Sequence, residues 1–389
     1  MDELDGHLEQ LRKAEPRMLE FLKALIRTPS LSGDEGRVAE LVEREMEGLG
    51  YEVEVDGMGN VVGRRGGGGR AVLFDAHMDH IDAGSPGSWS HDPYAAEVVD
   101  GVLYGRGSVD MKGALAAMIY GCAAPRNQGE VVVACVVHEE TNEGVATRRI
   151  LEEGGLRPDA CVLGEPTDLD LSIGQRGRCV VKIATRGVTS HASMPELGRN
   201  ALYEMTPIID AVKEANRRLP RHPFLGAGSM AVTNITCRPG AGPIIPDLCE
   251  ILVDRRLIPE ETLDGVLEEL RGLAAGAEVE LVADDLTCYT GYRTRVEQYF
   301  PGWITDRGRW PVEECLRALE EVLGRRPAII GWRFSTDGVA TAGDLGIPTV
   351  GFGPGDPSLA HQPDEHVALS DVAAAARGYC ALAHRLTAS

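Results

Sequence analysis

"LFDAHMDHIDAG", residues 73–84, opens as an apolar run and closes on a cluster of His and Asp side chains. Asp75, His77, Asp79, His80 and Asp82 gather at the end of what reads as a buried strand. Burying charge without a partner is costly, so the cluster calls for a metal ion, a salt-bridge network, or water at an exposed loop. The flanking sequence extends the pattern. "YEVEVD", "VVGRR", "AVLFDAH", "EVVVACVVH" and "DACVLGE" are short β-rich runs. Helical periodicity marks about 2–27 and 35–48, the second opened by "SLSGDEG" with its capping residues, and "GALAAMIYGCAA". Such alternation predicts an α/β fold, a mostly parallel sheet with flanking helices. "GRRGGGGR" at 63–70 lacks the Lys-Ser/Thr and following helix of a phosphate loop, and is expected to be a flexible hairpin turn.

The composition narrows the function. The chain has 389 residues, enough for two domains, and 43% hydrophobic residues to build their cores. A net charge of −21 argues against nucleic acid or an anionic membrane as partner, because both demand a basic surface. Bound divalent cations would offset part of that charge. The nine cysteines are scattered and never spaced as CxxC, which reads as reduced structural thiols in a cytoplasmic protein. The first residues carry no basic segment followed by an apolar one, and no apolar stretch reaches membrane-spanning length.

From about residue 179 the order becomes β-α-β-β-α-β, the split βαβ or ferredoxin-like pattern. "RCVVKIATRG", a helix around 199–218, "SMAVTNITC", "LCEILVDRRLIP", a helix at 260–274 and "EVELVADD" supply it. A small domain at 179–288 is therefore expected as an insertion between two segments of a larger one, 1–178 and 289–389.

In an open α/β sheet, ligands bind outside the carboxyl ends of the strands. "AVLFDAH" ends at His77, "EVVVACVVHEE" at Glu139 and Glu140, and "DACVLGE" at Glu165, while "IPTVGFGPGDPSLAH" reaches His361 one loop after its strand. Asp110, in "GRGSVDMKG", is expected at a helix start, where exposed N–H groups favour an anion. Two imidazoles and three carboxylates suit Zn²⁺, Mn²⁺ or Co²⁺. Five ligands exceed what one catalytic zinc ion takes, but fit two ions about 3.5–4 Å apart that share a carboxylate. A further carboxylate must move the proton of the attacking water, and adjacent extended residues such as Glu139 and Glu140 point opposite ways.

"HMDH", "GRGSVDMKG", "HEETNEG", "GEPT" and "AHQPDE", in that order, resemble the dinuclear zinc metallopeptidase and deacylase family. That family includes acetylornithine deacetylase, succinyl-diaminopimelate desuccinylase and glutamate carboxypeptidase. The likeness spans essentially the whole chain and implies a zinc-exopeptidase-like catalytic domain with a ferredoxin-like lid and dimerisation domain. By resemblance, His77, Asp110 and Glu165 hold one divalent ion, and Asp110, Glu140 and His361 the other. Glu139 is the general base, Asp79 orients the His77 ring, and His191 in "GVTSHASMPELGRNA" reaches across a homodimer to the oxyanion. Arg256 binds the substrate carboxylate, with Thr336 and Arg333 as further candidates. "GQRGR", "PELGRNA", "VDRRLIPEE" and "GFGPG" look closest to the branch of selenium-metabolism-linked hydrolases. One departure stands out: Pro243 occupies the position thirteen before Arg256 where relatives place an Asn, which puts that carboxylate recognition in question.

The implied activity is hydrolysis of the amide of an N-acyl or N-carbamoyl amino acid, or of a small peptide. An aminopeptidase or dipeptidase acting on free amines is the alternative, as is a metal-binding homologue that has lost catalysis. The latter would lack a ligand or the base, and all are present. A phosphate-handling two-metal enzyme would want a cradle of Arg and Lys near the metals, and a serine hydrolase would want a G-x-S-x-G elbow. The sequence shows neither clearly. His80 and His91 read as loop or supporting groups, His138 as facing away from the metals, and Glu143 as a solvated loop acid or part of the turn "NEG".

Overall fold

The computed structural model describes residues 3–124, 129–240 and 242–388. The sequence "EVVVACV" sets the middle of the main sheet. A continuous apolar run has to be covered on both faces and both edges, and strand 130–136 is buried throughout after its first residue. It lies parallel to strand 71–77 on one side and antiparallel to strand 61–66 on the other. Strands 160–163 and 349–351 extend the parallel set beyond 71–77. The nine-stranded sheet is completed by 52–55 at one end and by 171–175, 303–304 and 329–332 at the other.

The glycine run therefore makes no hairpin. Strands 61–66 and 71–77 flank strand 130–136 instead of pairing with each other, because the most apolar strand takes the place between them. Gly66, Gly67, Gly68 and Gly69 all have positive φ, which lets the chain cross from one side of that strand to the other.

Helices Glu3–Ile26, Gly113–Ala123, Val312–Leu323 and Leu369–Leu386 contribute to one large core with the sheet. Helices 113–123 and 369–386 approach so closely that a Cβ at Gly121 would meet the Ala376 carbonyl oxygen at 2.5 Å. Eight of the nine cysteines are buried. No helix among the described residues is long and apolar enough to cross a membrane.

A second sheet runs in the order 229–238, 248–257, 177–186, 278–281, with antiparallel pairs throughout. Its polar and apolar residues alternate, as in "LCEILVDRRL", where every second side chain from Cys249 is buried. Helices Ala201–Ala215 and Leu263–Leu273 cover its apolar face and close a separate core of Cys179, Val181, Ile183, Met205, Val253 and Leu270 among others. Strand order and helix placement are those of a split βαβ unit. The short strand 299–300 also pairs with 177–186, and hairpin 283–287/293–297 buries Leu286 and Val296 in the larger core.

Candidate metal centre

Parallel strands point their carboxyl ends to one edge, and there the sequence delivers its donors. His77 closes strand 71–77, Glu139 and Glu140 follow strand 130–136, and Glu165 follows strand 160–163. His361 arrives on the loop after strand 349–351, with φ at 65°. Asp110 sits in the wound turn 108–112, three residues before the helix that begins at Gly113. The expected helix start is thus displaced, and its backbone N–H is satisfied by Glu365 Oε1 at 3.1 Å.

His77 Nε2 lies 3.0 Å from Asp110 Oδ1, 3.7 Å from Glu165 Oε1 and 3.9 Å from Glu139 Oε2. His361 Nε2 lies 3.2 Å from the other Asp110 oxygen, Oδ2, and 3.0 Å from Glu140 Oε2. These are separations of neighbouring ligands on ions with bonds of about 2.0–2.2 Å. Two tight groups stand out, His77 with Asp110 and Glu140, and His77 with Glu139 and Glu165. Glu139 is thus as near to His77 as a ligand would be, while its Oε1 is buried without a hydrogen-bond partner.

Burial acts on every carboxyl in the group, and repulsion by a neighbouring carboxylate adds to it at Glu139, Glu140 and Glu165. Burial, then the Glu165 charge, pushes Glu139 well up, and burial with the Asp110 charge does the same to Glu165. Glu140 is raised to about 7 by burial and Asp110. Asp110 goes the other way: although burial opposes it, hydrogen bonds from His361 and His77 hold it well below the usual carboxylate range. The same contacts raise His361 to about 10, Asp110 and then Glu140 being the causes. A cluster with this much buried negative charge and an orphaned carboxylate oxygen fits divalent cations, whose charge offsets the desolvation of their ligands.

The opening cluster resolves residue by residue. His77 carries its donor into the group. Its Nδ1 faces the Asp79 carbonyl oxygen at 3.0 Å; a carbonyl only accepts, so Nδ1 donates and Nε2 is left to the carboxylates. Asp79 thus meets the ring through its backbone carbonyl, while its carboxylate stands 3.6 Å from Nδ1. It instead accepts the backbone N–H of Glu139 and of Glu140, and the Ser32 hydroxyl at 2.6 Å. Asp75 accepts from Thr147 and pairs with Asp337 beneath the site. His80 takes the Ser30 N–H, and Asp82 is exposed and holds the Gly84 N–H.

Glu35 carries no cap on the helix that follows it. Its Oε1 accepts from Gly33 and from His138, so that Glu35 and Asp79 together hold the N–H groups of residues 138, 139 and 140. His138 turns towards the Thr287 carbonyl, and His91 stacks on Tyr104 and pairs with Glu97.

Asp110, Glu139, Glu140, Glu165 and His361 line a cavity of about 310 Å³ together with Arg178, Arg256, Phe334 and Ser335. Arg178 and Arg256 stand directly opposite each other on neighbouring strands. Arg256 is gripped by Asp254, Nε to Oδ1 at 2.9 Å. Arg178 is held by Glu143 at 2.7 Å and lies over the Phe300 ring. Glu143 is therefore a buried partner and no solvated loop acid; Arg178 enters from a strand whose alternation gave no reason to single it out. Thr336 is fully buried, its hydroxyl donating to Gln175 Oε1 at 2.5 Å and accepting from Gly338, so it does not line the cavity. Arg333 is exposed. His191 is exposed on the second sheet's side of the molecule, its Nδ1 engaged by Ser193, and is not among the residues lining this cavity.

The family model described as peptidase family M20/M25/M40 matches residues 73–385. The chain is 37% identical over 385 residues to "Uncharacterized protein YgeY" of Escherichia coli K12, covering 96% of each. It is 27% identical over 366 residues to the succinyl-diaminopimelate desuccinylase of Azoarcus sp., covering 90% of this chain and 92% of the other. Its fold matches the M20 family metallo-carboxypeptidase Sso-CP2 from Sulfolobus solfataricus with a TM-score of 0.77 at 18% identity, over 95% of this chain and 99% of the other.

Proposed function

The chain belongs to peptidase family M20/M25/M40 and is a hydrolase of amide bonds, and on that premise we propose that it cleaves an N-acyl or N-carbamoyl amino acid, or a small peptide, with two divalent ions. The observation that carries this reading is Asp110, whose two oxygens face different imidazoles, His77 at 3.0 Å and His361 at 3.2 Å. A carboxylate so placed would serve as a ligand to both ions. His77, Asp110 and Glu165 would hold one and Asp110, Glu140 and His361 the other, with zinc favoured and cobalt or manganese as substitutes. When bound, such ions supply a water of lowered pKa and polarise a carbonyl.

The chain's own residues do the rest. Glu139, buried and with an oxygen that no protein group satisfies, takes the proton of the attacking water and passes it to the leaving nitrogen. Asp79 keeps Glu139 and Glu140 in register through their backbone N–H groups. Arg256 receives the substrate carboxylate; its Asp254 partner already fixes the guanidinium plane, which favours a paired contact. His191 acts on the developing oxyanion from a second copy of the chain, consistent with its exposure and its absence from the cavity lining. The ferredoxin-like unit is then both lid and dimer surface.

The test is metal content by mass spectrometry on purified protein and on Asp110→Ala, with hydrolysis of acylated, carbamoylated and free-amine substrates. About two ions per chain, lost together with activity in the variant, is the expected result. No ion bound after reconstitution, or two retained by the variant, would overturn the mechanism; turnover of free-amine peptides alone would move the substrate class to aminopeptidase.

A further inference from the structure

Asp110 rides on a turn that is held from a distant part of the chain. Glu365 is 1% exposed and both its oxygens are taken by that turn. Oε1 accepts the backbone N–H of Val109 at 2.8 Å and of Asp110 itself at 3.1 Å. Oε2 accepts the Gly107 N–H at 3.1 Å and Arg106 Nη1 at 2.6 Å. The Glu365 carbonyl also takes the Gly105 N–H at 2.9 Å. Arg106 is buried in turn, its guanidinium over the Trp89 ring.

Glu365 also belongs to the loop that carries His361. Asp364 fixes that loop by accepting the N–H of Ser90 and of His91. His361, four residues before Glu365, meets Asp110 Oδ2. One loop thus presents a donor to the Asp110 carboxylate and clamps the backbone that bears it. Glu365 does not line the metal cavity, so it touches neither substrate nor the reacting atoms.

We propose that Glu365 is a positioning residue that couples Asp110 to His361, so that the site formed by Asp110, Glu140 and His361 exists as a unit only while Glu365 clamps the turn. The site of His77, Asp110 and Glu165 depends on it less, because two of its three donors stand at or just after strand ends, whereas in the other site both Asp110 and His361 ride on the two segments that Glu365 joins. The inference rests on the two-ion reading above.

The carboxylate is required because four donors converge on it and an amide can accept on one side only. Glu365→Gln is the direct test. Since it strands the buried Arg106 charge and can prevent folding, Arg106→Met with Glu365→Gln is made alongside it. Circular dichroism of the metal-free proteins reports folding, and Co²⁺ or Zn²⁺ titration with a competing chelator gives the affinity of each site.

In the folded variants one dissociation constant should rise about 10–100-fold, the usual cost of losing a group that orients metal ligands, and the other less than about threefold. kcat should fall more than KM rises. In His361→Ala, which already lacks the same ion, adding Glu365→Gln should leave the remaining constant within about threefold, because coupled residues are not additive. Equal weakening of both sites in a folded variant, or no weakening of either, would overturn the proposal while the two-ion reading stands. Fewer than two ions on the unaltered protein would overturn both.

Discussion

Asp79→Asn should separate backbone support from metal ligation. Asp79 is fully buried and accepts three hydrogen bonds, from Glu139 N at 3.1 Å, Glu140 N at 3.2 Å and Ser32 Oγ at 2.6 Å. An asparagine offers one accepting oxygen. Ser32 can reverse and accept from the amide, but one backbone N–H is then left buried without a partner, at about 1–3 kcal/mol. The bonds that survive lose their charge assistance, worth roughly a further 1 kcal/mol. The sum is about 2–4 kcal/mol of folding stability, measurable by urea unfolding of the metal-free protein at pH 8. Because the residues released are Glu139 and Glu140, turnover should fall about 10²-fold even at saturating metal, the effect of misplacing a reacting group by about 1 Å. Ser32→Ala is the control, losing one hydroxyl bond and no more than about 1 kcal/mol. Stability within about 0.5 kcal/mol of the parent, with unaltered turnover, would refute the assignment of Asp79 as the support of those two residues.

Burial and the Asp79 charge raise Glu35 from 4.5 to about 7, so between those values the folded chain binds a proton that the unfolded chain has released. The stability it contributes is complete below about 4.5 and lost as pH rises through about 7, with a ceiling of about 3 kcal/mol. Glu35→Gln, whose amide oxygen can keep the two N–H bonds, should flatten that part of the stability–pH curve; an unchanged slope from pH 5 to 7.5 would contradict it. Gly351→Ala should cost about 1–3 kcal/mol through overpacking, since an added Cβ would collide with the Trp332 ring, which its own bond to the Pro166 carbonyl holds in place. A urea midpoint equal to that of the parent would show that the ring can move.

The donors were legible because parallel strands expose their carboxyl ends to one edge, and His77, Glu139, Glu140 and Glu165 each fall at such an end. What holds the donors was much less legible. Glu365 lies 255 residues from the Asp110 N–H it accepts, and Glu35 lies 103 from that of His138. No local pattern announces a bond of that span. Glu143 looked like a solvated acid because "NEG" reads as a turn, whereas it is buried and paired with Arg178, which arrives from the second sheet. The glycine run looked like a hairpin because its two strands are neighbours in sequence, whereas hydrophobic coverage of strand 130–136 separates them.

The sequence by itself determined the α/β class, the ferredoxin-like order of the second sheet, and the residue types that gather at the sheet's edge. Those follow from hydrophobic periodicity and strand direction, which are local properties of the chain. Tertiary structure alone decided which oxygen of Asp110 faces which imidazole, that the Asp79 carbonyl and not its carboxylate meets His77, and which buried carboxylates grip the turns that carry the donors. The physical reason is desolvation. Once water is removed, each buried carboxylate must find donors wherever the fold places them, and that placement belongs to the packed molecule as a whole.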